Sequence, residues 1–193
     1  GFFSRYGGQE AEARAAKAGL EKQESGVEKL LSGRRALLAD VRGDREEVEA
    51  RGADVRAAPG VDIRAGRPGL RQLVRAGHEQ IVVALGYMDA PSATRAELIR
   101  RVRPVLHDDV GGVRCVLWVE LATTGARAGW AEATGRFNDL IRQLTAESGD
   151  HVARWSVFSE DHRNWFRRDG FHLSLRGQAA YARFVAGQVH QRC

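Results

Sequence analysis

Cysteine, methionine and proline are scarce in this chain of 193 residues, at two, one and four respectively. Two cysteines are too few for a four-cysteine metal centre or a disulfide-dense scaffold. Cys115 sits in an apolar run and is expected as a buried, inert thiol, and Cys193 as a mobile end; a disulfide between them is possible but has no support in the sequence. The six histidines (His78, His107, His151, His162, His172 and His190) lack ligand spacing, so no metal and no other cofactor is expected. No apolar run is long enough to span a bilayer. Lysine occurs only at Lys17, Lys22 and Lys29, so arginine carries most of the basic charge behind the net +5. Those arginines alternate with Asp and Glu instead of clustering with aromatics, which reads as a solvated surface, and no nucleic-acid partner is expected.

The front of the chain also lacks the charged-then-apolar plan of a signal peptide. It opens at Gly1 without a methionine and is expected to be a processed piece of a longer protein. Residues 1–34 are assigned to an N-terminal helical extension, since Gln9 to Leu31 is rich in Ala, Glu and Lys. Its apolar stripe is thin (Leu20, Val27, Leu30, Leu31), as suits a helix on a surface or against a partner. Phe2 and Phe3 followed by Arg5 leave two readings open. One is the water-side edge of a removed membrane helix, hence a membrane-anchored parent protein; the other is a plain flexible terminus.

Residues 35–193 are assigned to one α/β domain. Short apolar runs at Ala36–Val41, Val61–Arg64, Gln80–Gly86, Val113–Val119 and Val152–Val157 alternate with helical patterns, among them a Thr94–Glu97 capping box and a final helix over Gln178–Val189. Strands that are apolar throughout belong in a parallel sheet covered on both faces. The expected architecture is a three-layer α/β/α domain with a five-stranded, mostly parallel, flavodoxin-like sheet. Right-handed crossovers would bring four loops to one rim: Asp40–Asp44, Gly66–Gly69, Gly86–Pro91 and the loop holding Asp169 and His172.

That last loop carries the clearest chemistry. In Asp169-Gly170-Phe171-His172 a carboxylate stands three residues before an imidazole, which lets the acid orient the ring and leave its second nitrogen for a pocket. The bland alternative is a surface loop ending in a helix cap at Ser174.

These loops in this order resemble the SGNH (GDSL-like) hydrolases, over about Arg35 to Val189. Asp169-Gly170-Phe171-His172-Leu173 with Gly177 is similar to the family's last block, which implies that Asp169 orients His172 as a general base. Gly66 is similar to the second-block glycine, whose N–H helps hold an oxyanion. Gly86-Tyr87-Met88-Asp89 stands where the family has Gly-x-Asn-Asp, and Phe137-Asn138 fits an accessory pattern. The resemblance also implies an extracytoplasmic setting and a small-molecule ligand or substrate in the cleft lined by Asp40, Val41, Gly66, Gly86, Tyr87, Met88 and Asp89.

Two departures bear on activity. Val41 occupies the place of the nucleophilic serine and has no oxygen or sulfur to attack with. Met88 replaces the asparagine whose amide would donate to an oxyanion. Ser4 mimics a Ser-x-x-Gly fragment, but no strand precedes it. Three readings follow. The first is a degenerate domain that binds an acyl- or carbohydrate-type ligand or a partner. The second is a repurposed lyase, cyclase or water-activating hydrolase using Asp169–His172, with Asp40 or Asp89 as a second carboxylate. The third is an ordinary esterase or O-acyltransferase with its serine supplied from elsewhere. Oligomeric state is not legible.

Overall fold

The computed structural model describes residues 17, 19–29, 31–33, 35, 60–124 and 128–193. The chain divides into two compact units, residues 1–42 and 43–193. The described residues of the first unit are helical and solvent-exposed, Leu20, Val27 and Leu31 included. The expected strand Ala36–Val41 lies outside the described residues.

The second unit begins with α1 (Ile63–Arg75), where a strand was expected. Val61 and Ile63 suggested a β-run, but Asp62 acts as an N-cap and its carboxylate accepts the Ala65 N–H at 2.8 Å. Ile63, Leu70 and Leu73 then fall on one helical face and are buried there. Strand β1 (Gln80–Val83) follows, then α2 (Arg95–Pro104), which opens on the anticipated Thr94–Glu97 capping box. A π-helical turn, Val105–Asp109, leads to β2 (Cys115–Val119). Then come α3 (Ala128–Ser148), β3 (His151–Ala153), the single turn α4 (Trp155–Phe158) and α5 (Leu175–Arg192).

The sheet is parallel, in the order β1-β2-β3, so the described residues contain three strands and not five. Besides the loss of Val61–Arg64 to α1, the last strand is shorter than expected. Trp155 turns into α4 and packs among Trp165, Tyr181 and Phe184 instead of continuing the ladder. Every residue of β2 is buried, as a strand covered on both faces requires. Val116 and Trp118 face one core with Ile81, Val83 and the apolar sides of α1, α2 and α3. Leu117 and Val119 face a second core with Ala153, Trp155 and α5. On that second side Val82 of β1 stays 37% exposed.

Cys115 and Cys193 form a disulfide, with Cα atoms 5.6 Å apart. This corrects the expectation of an inert thiol and a mobile end. Cys115 opens β2 and Cys193 caps α5, so it is the return of α5 along the sheet that brings them together. The sequence could offer the pairing only as a possibility because the two lie 78 residues apart.

Candidate functional site

The carboxyl ends of β1, β2 and β3 lead into the loops that form one rim, as the crossover geometry of a parallel sheet dictates. The third of these loops is a short hairpin. Phe166 and Leu173 form an antiparallel bridge, Arg167 N–H donates to the His172 carbonyl at 2.8 Å, and Gly170 turns the chain at φ 69°. Ser174 anchors its end: its N–H donates to the Trp165 carbonyl at 2.8 Å while its hydroxyl accepts the Gly177 N–H at the start of α5.

Within this hairpin Asp169 and His172 are brought together as expected. One carboxylate oxygen accepts the N–H groups of Phe171 (2.8 Å) and His172 (2.9 Å). The other lies 3.0 Å from His172 Nδ1. These bonds, the Phe171 N–H first, then the imidazole and the His172 N–H, hold the Asp169 carboxyl down at about 2. An ionised carboxylate can only accept, so Nδ1 carries a proton and Nε2 is the nitrogen left facing outward. The His172 side chain is 65% exposed. Among the described residues no hydroxyl or thiol lies within hydrogen-bonding distance of Nε2.

The other expected site residues divide. Asp40, Val41 and Ser4 lie outside the described residues. Gly66 sits in the first turn of α1, not in a loop after a strand, and its N–H donates to the Asp62 carbonyl at 3.1 Å. It is thereby committed to the helix. Gly86 adopts φ 122°, and a Cβ there would run into the Phe137 ring, so backbone freedom and close packing fix its identity. Met88 is exposed, and a thioether there donates nothing. Asp89 is fully buried: it accepts the Ile63 N–H at 2.9 Å and pairs with Arg101 at 2.6 Å. Its carboxylate fastens α1 and α2 to the loop after β1 and does not face the rim as a second acid. Asn138 accepts the Leu121 N–H at 2.9 Å and donates to the Leu121 carbonyl at 2.8 Å, clamping the loop after β2.

Tyr87 does reach the rim. Its hydroxyl accepts the Ala122 N–H at 2.7 Å, and burial pushes the phenol up to about 12. Phe171 packs edge-on against Tyr87 (4.6 Å between ring centres), Trp130 (5.3 Å) and His172 (4.9 Å). The imidazole therefore stands beside an aromatic wall. Behind it lies a cavity of ≈130 Å³, bounded by Tyr87, Phe171, Leu173, Val119, Trp155 and Tyr181.

Trp130, Trp155, Tyr181 and Glu120 were not anticipated at the rim. Tyr181 could have been found, since Gly177, Ala180, Tyr181 and Phe184 recur at helical spacing and mark the face of α5 turned to the sheet. Glu120 carried no local signal. It is buried at the end of β2, bonded to Arg142 and to the Ser156 hydroxyl, with Arg154 at 3.8 Å. No cluster of three or more His, Cys, Asp or Glu that could hold a metal occurs among the described residues.

No family model matches the chain, and no curated protein matches it. Solved structures do. A lipase/acylhydrolase from Enterococcus faecalis superposes with a TM-score of 0.60 at 16% identity, covering 79% of this chain and 84% of its own. The acetyl xylan esterase AlAXEase gives 0.62 at 14%, covering 77% and 89%. A variant of an acetyl xylan esterase from Geobacillus stearothermophilus gives 0.56 at 12%, covering 69% and 70%. At these identities the likeness shows the fold: a mixed α/β domain with a parallel sheet, of the SGNH-hydrolase type.

Proposed function

We propose that this domain binds a small acyl- or carbohydrate-type ligand beside His172 and does not perform serine-ester hydrolysis. The observation that carries the reading is at Nε2 of His172: the ring is oriented by Asp169, yet no hydroxyl among the described residues meets it. The oxyanion side agrees. Gly66 spends its N–H inside α1 and Met88 has no donor, whereas acyl transfer through a tetrahedral intermediate needs pre-aimed donors, each contributing a factor of about a hundred or more. Val41 in place of a serine points the same way. The ligand class is suggested by the wall of Tyr87, Phe171 and Trp130, suited to an acyl chain or the apolar face of a sugar. Neighbours of this fold that act on acetylated xylan are in keeping with it.

A second reading is favoured by one feature, the preserved hydrogen-bonding of the dyad. Asp169 is held ionised and orients His172 through Nδ1, leaving Nε2 uncommitted among the described residues, which is the arrangement of a general base acting on water or on the ligand itself.

Three measurements on the full chain separate the readings: labelling by a fluorophosphonate probe, turnover of p-nitrophenyl acetate, and calorimetric binding of acetylated xylooligosaccharides. Binding without labelling or turnover, largely kept in His172→Ala, is the expected result. Turnover abolished by His172→Ala without labelling selects the general-base reading. Labelling together with His172-dependent turnover would overturn both in favour of an ordinary esterase.

A further inference from the structure

The helix of the first unit carries apolar side chains that nothing among the described residues covers. Leu20, Val27 and Leu31 are 60%, 55% and 46% exposed and belong to neither buried core. Their spacing is that of a coiled-coil seam. Written in heptads, Leu20 and Val27 fall at position a, Gln23 and Leu30 at d, and Leu31 at e. The opposite face is polar, with Glu21, Lys22, Ser25, Glu28, Lys29 and Ser32 at b, c and f. An apolar seam alone suits more than one partner, so the positions flanking it decide.

Glycine recurs beside the seam with the same period, at Gly19, Gly26 and Gly33, all at position g. Glycine weakens a helix interior, so three of them in one helix call for a cause. The backbone supplies none, because none of the three has a positive φ. Contacts within the chain supply none either, because a Cβ at any of them would meet nothing within 4 Å. What glycine at g permits is the close approach of another helix.

In a parallel pair in register, each g position faces the following e position of the other helix. That sets Leu31 of one copy over Gly26 of the other, a bulky side chain against a missing one. It also sets Glu24 against Gly19 and, in sequence, Lys17 against Glu12, a pair of opposite charge. The antiparallel alternative faces e with e, and at full overlap it sets Glu24 against Glu24 and Leu31 against Lys17. Val27 at a with Leu30 at d is the combination that favours two strands. Gln23 at d meets its own copy only when the two helices are level, which fixes the register.

We propose that this helix pairs with the same helix of a second copy of the chain, parallel and in register, making the protein a homodimer joined through its first unit. The pairing is independent of the function given to His172.

Sedimentation velocity on the intact chain, over about a hundredfold range of concentration, is expected to show a monomer–dimer equilibrium. Leu20→Glu combined with Val27→Glu puts charge into the seam and should raise the dissociation constant about a hundredfold or more. Both residues lie in the first unit, so urea unfolding of the second should not change. Orientation is read by cross-linking. Cys115 and Cys193 are paired with each other, so an added thiol reports alone. With oxidised glutathione, Val27→Cys should give a disulfide-linked dimer, whereas Ser25→Cys, on the outer face, should not. A chain that stays monomeric, a dimer unmoved by the two glutamates, or the same cross-linking result at positions 25 and 27 overturns the inference. A monomer that sediments with vesicles of anionic phospholipid overturns it too, by giving the apolar face to a membrane.

Discussion

Asp169 and Asp89 are both carboxylates in rim loops, and their neighbours give them opposite roles. Asp169 is half exposed and bonded within its own hairpin, which is why its contact with His172 was legible from four residues of sequence. Its folded pKa lies below its ordinary value of 3.8, at about 2. The stabilisation it gives the hairpin is therefore fully present above 3.8 and lost as pH falls from there through 2. Amide exchange at Phe171 and His172 should accelerate over that window. Asp169→Asn should move the imidazole proton away from Nδ1, visible in the ring nitrogen shifts. Asp89 was misplaced because its partners are Ile63, 26 residues away, and Arg101, 12 residues away. Arg101→Met would leave that carboxylate fully buried and without its counter-charge, and should cost about 3–5 kcal/mol in urea unfolding.

Among the elements, β1, β2 and α2 were readable because their signals are local: an unbroken apolar run for each strand, a capping box for the helix. Val61–Arg64 was misread because four residues cannot distinguish a short strand from the first turn of a helix. The deciding information lay further on, in Leu70 and Leu73, and in the cap at Asp62. Pro68 and the glycines around it look like a loop in sequence; in the fold they lie inside α1. Asp62→Ala should destabilise the domain by about 1 kcal/mol, read as a lower urea midpoint with unchanged slope. Because Ile63 donates to Asp89, a frayed α1 should also loosen the loop after β1, seen as faster exchange of the Ile63 amide.

At the scale of the whole molecule, the parallel α/β plan was legible from the alternation of segments, whereas the fastening of the C-terminus to the sheet was not. No periodicity reports that the last residue returns to the start of the central strand. Closing a loop of 78 residues, the bridge should contribute about 4 kcal/mol through the unfolded chain. Reduction with a thiol, or Cys193→Ser, should lower the melting temperature markedly, and unfolding with and without reductant measures the difference. Bridges of this kind persist in oxidising compartments.

The terminal helix is fastened at both ends. Ser174 ties its start to the hairpin of Asp169 and His172, and the bridge ties its end to β2. A pull on the C-terminus would therefore be borne by the middle of the sheet and would not travel down the helix to the imidazole. The imidazole is mechanically insulated from whatever tugs at the tail, so long as one sulfur–sulfur link holds.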